Sequence, residues 1–286
     1  MNEAQARVLL LSAIEPGSGF WSAQLAEFGA IELLDRLMRG SYSANKGEVI
    51  SKAIKKYSAD ELLEKITQAN AKLLLPSDAD WPIALNDLAA PPIALVVKGN
   101  TESLGQASLS IVGTRNPTNY GVRVAEDFAT GFVDREWNIV SGGAYGIDSA
   151  AHKGALIAEG CTIAVLATGV DINYPAGNAR LFAEIQENGA LVSEVLPGVT
   201  GYPNRFLTRN RIIAALSRAT LVVEAAFRSG SLRTARDAAE LMRPVMAIPG
   251  PISSPTSEGC HRLIGERSAE IVTSVADAVE FVSSIQ

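Results

Sequence analysis

The amino-acid sequence predicts an α/β protein: a mostly parallel sheet with helices on both faces, preceded by a small all-α N-terminal domain. Three observations carry this. Beyond residue 75, eight short apolar runs (ALVV, LSIVG, WNIVSGG, TIAVLATG, ALVSEV, TLVVEA, VMAIPG and AEIVTS) alternate with amphipathic stretches. Short strands separated by helices require right-handed crossovers, and hence a parallel sheet. Before residue 75, apolar residues recur at helical spacing instead. Finally, 286 residues, 47% hydrophobic and 20% charged, suffice for one large core and a small second domain.

Taken in order, Ala6, Leu9 and Leu10, then Leu25, Phe28, Ile31, Leu34 and Leu37, then Leu62, Leu63 and Ile66 form helical stripes. Pro16-Gly17-Ser18-Gly19 and Gly40-Ser41 separate them. The segment PSDADWPIALNDLAAPPIALVVKGN is rich in proline and aspartate ahead of an apolar strand, as a linker entering a sheet is. The expected domains are therefore 1–75 and 76–286. No apolar run reaches the roughly 18 to 20 residues that span a bilayer, and the N-terminus lacks a basic region before a cleavable apolar stretch. A cytoplasmic protein without membrane contact is expected. Cys161 and Cys260 have no CxxC spacing and read as reduced, packed thiols. With two histidines, His152 and His261, a histidine-rich metal site is not expected, and no cofactor is.

The stretch SIVGTRNPTNYG raises the first functional question. A buried strand ending in glycine and entering a helix normally delivers backbone N–H groups to a phosphate, but the second and third glycines of a dinucleotide fingerprint are missing, which argues against NAD. In a parallel sheet, ligands bind beyond the carboxyl ends of the strands. There the sequence places Gly113, Thr114 and Arg115; Ser141, Gly142 and Gly143; Thr168 and Gly169; and Arg228, Ser229, Gly230 and Ser231. Small residues, hydroxyls and arginine forks converging on one rim describe an anion cradle. The competing reading is that the glycines merely make tight turns.

A net charge of −6 argues against a polyanion as partner. Locally the balance reverses: from Arg205 to Arg243 there are eight arginines against three acids. NRFLTRNRIIAALSRA puts Arg205 and Arg209 on one helical face, with Phe206, Ile212, Ile213 and Leu216 available to the core. Arginine without matched acid suggests a row of phosphates.

Six stretches, SIVGTRNPTNYG, SGGAYGIDSAAHKGAL, GVDINYPAGNARL, RNRIIAALSRATLVVEA, SGSLRTA and PGPISSPTSEGCHRLI, resemble in order the motifs of the DprA/Smf family (DNA-processing protein A). The resemblance implies an extended Rossmann-like fold that binds and protects single-stranded DNA and helps load the RecA recombinase in natural transformation. It also implies an N-terminal domain of the SAM or helix-hairpin-helix kind. On that reading the strand is held by the rim residues above, by Arg205, Arg209, Asn210 and Arg211, and by Thr234 of SGSLRTA. Tyr174 is offered for base stacking, or else anchors the turn before Pro175. The resemblance further implies a homodimer formed through the C-terminal part of the Rossmann-like domain, where Val245, Met246, Ile248, Leu263 and Ile264 lie near the sheet edge.

The chain departs from the family pattern at Tyr145, where arginine is common. It departs also at Arg233 and Asp237, which at i and i+4 can form a surface pair replacing hydrophobic residues. A C-terminal winged helix, frequent in the family, is not expected before Gln286. Asp148 and Asp171 read as capping or turn residues and His152 as a helix-surface or capping histidine. No catalytic residue is therefore expected. The alternative is a LOG-type nucleoside monophosphate phosphoribohydrolase, although RSGSLRTARD lacks that enzyme's Pro-Gly-Gly and has aspartate for its glutamate.

Overall fold

The computed structural model describes residues 1–285. Four helices open the chain: α1 (Glu3–Leu11), α2 (Gly19–Met38), α3 (Val49–Ile54) and α4 (Ala59–Gln68). Their starts are written locally, because Asn2 with Gln5 and Ser58 with Glu61 form reciprocal capping boxes on α1 and α4. Gly29, at φ 74°, kinks α2 in a conformation that other residues rarely adopt.

The sheet begins earlier than the boundary at residue 75. β1 (Lys72–Leu74) pairs antiparallel with β2 (Leu95–Gly99). Three residues are too few to show a period, so nothing in KLL distinguishes a strand from the end of the helical segment. The chain then alternates: β3 (Ser108–Val112), α5 (Asn119–Val133), β4 (Asn138–Ser141), α6 (Ile147–Ile157), β5 (Thr162–Leu166), α7 (Ala179–Asn188), β6 (Ala190–Ser193) and α8 (Pro203–Leu216). It continues with β7 (Ala219–Val222), α9 (Ser231–Glu240), β8 (Val245–Ala247), α10 (Glu258–Gly265), β9 (Glu270–Ile271) and α11 (Val275–Ile285).

The strand order is β1-β2-β6-β5-β4-β3-β7-β8-β9, parallel from β6 through β9. From β3 the chain winds outward through β4, β5 and β6, then returns across the sheet to lay β7 on the other side of β3. The topological switch point therefore lies between β3 and β7, where a crevice opens at the strand ends. Strand alternation divides the core. Val112, Val140 and Val222 pack against Ile212, Leu216, Leu232 and Leu263 of α8, α9 and α10. Leu109, Ile139 and Leu221 pack on the opposite face against Phe128, Ile147 and Val282 of α5, α6 and α11.

A third cluster joins α1 to α4 with Leu166, Phe182, Ile185 and Leu191 of the sheet and α7. Val245, Met246, Ile248 and Leu263 are buried within the single chain, covered by α10, α11 and β9, and so present no docking face. The exposed apolar residues of that region are instead Met242, Ile252 and Ile271. His152 is also corrected: it is fully buried, not on a helix surface, because α6 turns that face onto the sheet, where Nδ1 meets Thr162 Oγ1 at 2.7 Å. Both cysteines are free thiols, and burial pushes that of Cys260 up to about 12.

Candidate nucleic-acid interface

A cleft of about 310 Å³ opens at the switch point. Gly113, Thr114 and Arg115 after β3 form one bank, and Ala226, Ser229, Gly230, Ser231 and Thr234 after β7 form the other. Phe206, Leu207, Arg209 and Asn210 of α8 close the back. Asn210 is fixed by donating Nδ2 to Gly230 O at 3.1 Å, and Ser229 and Ser231 share a hydroxyl contact of 2.7 Å. Arg115 is exposed and has no ion-pair or hydrogen-bond partner among the described residues; its Cζ lies 5.8 Å from the centre of the Phe206 ring. That ring in turn sits 5.2 Å from the ring of Tyr174, which is half exposed. The sequence reading gave Phe206 to the core, but the structure turns it to the cleft wall.

The glycine of SIVGTR is demanded by packing. A Cβ on Gly113 would lie 2.6 Å from Ile147 Cγ1 and 2.8 Å from Glu224 O. The anion expected where that turn meets its helix is internal. The carboxylate of Glu224, buried just beyond β7, accepts from Thr118 N at 2.9 Å and from Thr118 Oγ1 at 2.7 Å, at the N-cap of α5. A Cβ on Gly121 would strike it at 2.3 Å. The helix end that holds pyrophosphate in dinucleotide-binding folds is thus filled by this chain's own carboxylate. Sequence reasoning missed Glu224; an acid ending the apolar run TLVV was the available signal.

Not every expected rim residue reaches the cleft. Ser141 is fully buried and donates to Ile111 O at 2.6 Å. Gly142 N and Ala144 N donate to Asp148 Oδ2 at 3.1 and 3.3 Å, so Asp148 organises the turn before α6. Gly143 takes φ 68° and its carbonyl accepts from Asn178 Nδ2. Gly169 is buried and donates to Val199 O at 2.8 Å. Asp171, exposed, accepts from Gly198 N and ties two loops together. These glycines serve the turns themselves.

The arginines of α8 are also not unmatched, because their acids come from distant sequence. Arg205, buried, is held by Glu15 at 2.8 Å. Arg211 pairs with Glu194 at 2.5 Å and donates to Ala90 O. Arg209, buried, donates to Gly142 O at 2.7 Å and to Val165 O. Burial and the nearby Arg115 bring its guanidinium down to about 10, against the opposing pull of Asp148. Burial likewise pushes the Asp148 carboxyl up, with Arg209 opposing. Arg233 and Asp237 pair at 2.7 Å, as their spacing suggested, but not as a surface pair: Arg233 is exposed and Asp237 is buried, because α9 turns that face inward. Among the described residues, no group of three or more His, Cys, Asp or Glu is placed to hold a metal.

Fold and site together define a Rossmann-like α/β protein whose switch-point cleft carries an unpaired arginine and an aromatic edge. The model of the family described as DNA recombination-mediator protein A matches residues 72–283. A putative DNA processing protein DprA of Mycobacterium tuberculosis is 40% identical over 99% of this chain and 76% of its own length. The X-ray structure of DNA processing protein A from Streptococcus pneumoniae superposes with a TM-score of 0.85 at 32% identity, covering 98% of each chain. DNA processing protein A from Helicobacter pylori, whose structure was described for its single-stranded DNA binding mode, gives 0.68 at 29% identity over 75% of this chain and 95% of that one. The chain belongs to the DNA recombination-mediator protein A family.

Proposed function

We propose that the protein binds single-stranded DNA across the switch-point cleft, protects it and assists loading of the RecA recombinase, acting as a cytoplasmic homodimer in natural transformation. The observation that carries this reading is Arg115, solvent-accessible and unpartnered beside the Phe206 and Tyr174 rings. A guanidinium for phosphate next to aromatic faces for bases is how unspecific single-strand sites are built. Such contacts hold the backbone and leave base edges accessible, which suits handover to a recombinase. The Helicobacter relative's single-strand binding supports the assignment. Against the phosphoribohydrolase alternative stands Asp237, the candidate acid of RSGSLRTARD: its Oδ1 is taken by Arg233, and it does not line the cleft.

Titration with single- and double-stranded oligonucleotides at two salt concentrations tests the reading. Preference for the single strand, with log affinity falling by about 0.7 per phosphate for each decade of salt, is expected. RecA-driven strand exchange on DNA coated with single-strand-binding protein tests the loading step, and stimulation is expected. Release of free base and ribose 5-phosphate from nucleoside monophosphates would replace this function with the enzyme. Light scattering at micromolar concentration is expected to give twice the 30.2 kDa chain mass.

A further inference from the structure

One arginine of α8 is neutralised from outside the sheet. The Arg205 guanidinium donates Nη2 to both carboxylate oxygens of Glu15, at 2.8 and 3.0 Å, and Nε to one of them at 3.3 Å. Glu15 lies between α1 and α2, 190 residues away in sequence. Tyr202 donates its hydroxyl to the same carboxylate at 2.9 Å, and its ring lies 4.4 Å from the guanidinium carbon. The two partners differ in exposure: the Arg205 side chain is 9% exposed and that of Glu15 59%. The other arginines of the helix are held differently. Arg209 is locked to backbone carbonyls and Arg211 to the buried Glu194, so releasing either would open the core. Arg205 also donates Nη1 to Thr200 O at 2.7 Å, which leaves its Nε and Nη2 edge to be freed when the solvent-facing carboxylate swings away; an ion pair exposed on one side is weakly held.

Resting on the single-strand reading above, we propose that Glu15 sets the charge of the strand-binding face by masking Arg205. The next residue, Phe206, lines the cleft, and Arg205 lies about 100° further around α8, in the adjoining pocket that Glu15 and Val195 also line. A phosphate offers the guanidinium fork the same bidentate geometry as the carboxylate it displaces. Tyr202, 41% exposed, stands beside it as a further face for a base. The N-terminal helices thereby decide how many phosphates the groove neutralises.

The test uses the full chain and an unstructured oligonucleotide titrated across a range of salt. Glu15→Gln keeps the side chain's size and an acceptor for Tyr202 while removing the charge. Its log affinity is expected to fall more steeply with log salt than that of the wild type by about 0.7, one added phosphate contact. At about 0.1 M salt that corresponds to binding roughly fivefold tighter. The double variant Glu15→Gln/Arg205→Ala, which leaves no orphaned charge, is expected to return to the wild-type slope. An unchanged slope in Glu15→Gln, or a gain that survives in the double variant, overturns the masking while the single-strand reading stands. Weaker binding by Glu15→Gln with an unaltered urea midpoint would also overturn it, since Glu15 would then position α8 and not mask it. Failure of the wild type to bind any strand at low salt brings down both.

Discussion

Arg115 and Arg209 face the same cleft and have different work. Arg115 is solvent-accessible and without a partner, so Arg115→Ala is expected to weaken single-strand binding and flatten the salt dependence by about 0.7 while leaving the urea midpoint unchanged. Arg209 is 7% exposed and satisfies two carbonyls beneath Asp148. Removing it orphans those carbonyls and leaves a buried carboxyl without its compensating charge. Arg209→Ala is expected to cost roughly 3 kcal/mol in a urea titration. A fully stable Arg209→Ala protein with a flattened salt slope would return that residue to the binding face. His152 adds a pH dependence. Burial, aided by Arg209, depresses it to about 3, so between about pH 6.5 and 3 the unfolded chain binds a proton that the native state refuses. Stability from this group therefore decreases as pH falls through that window, by about 1.4 kcal/mol per unit. Asp148, raised by burial, acts in the opposite sense, so the measurement is the difference between wild type and His152→Leu, whose acid limb is expected to be shallower.

Among the elements, α8 shows best what a sequence can and cannot disclose. Its existence, and the burial of Ile212, Ile213 and Leu216, followed from periodicity, as did the eight strands from short apolar runs. Those signals are local. The partners of its arginines are not: Glu15 and Glu194 lie 190 and 17 residues away, so counting charges within the stripe made it look unmatched. The same limit hid Glu224, which reaches from beyond β7 to hold Thr118, the N-cap of α5, and turned Phe206 to the wrong side, since a helix wedged between a sheet and a cleft has two faces that are not plain solvent. The C-terminus of α8 adds a testable case. Arg243 donates to the carbonyls of Ala214, Ala215 and Ser217, the groups a helix end leaves unsatisfied. Arg243→Ala is expected to cost about 1–3 kcal/mol in unfolding free energy. Its salt slope for single-strand binding is expected to match the wild type; a flattened slope would put Arg243 on the strand's path.

At the scale of the whole molecule, the question is whether the N-terminal helices are an attachment or a part of the core. One hydrophobic cluster runs from Leu10, Leu33 and Leu37 of α1 and α2 into Leu166, Phe182, Ile185 and Leu191, all of them nearly or completely buried. The Glu15–Arg205 pair crosses the same junction. Removing residues 1–70 would uncover the sheet-side members of that cluster, and each large apolar side chain so exposed forfeits about 1.5–3 kcal/mol of burial. Since the net stability of a domain is only about 5–15 kcal/mol, exposing even part of four such side chains takes a large share of it. A chain beginning after residue 70 is therefore expected to melt well below the full-length protein, to bind a hydrophobic dye and to aggregate on warming, although the switch-point cleft lies outside the deleted segment. Thermal unfolding followed by circular dichroism, with dye fluorescence read in parallel, checks this. A truncated chain that melted at the full-length temperature without binding dye would mean that α1–α4 keep a core of their own.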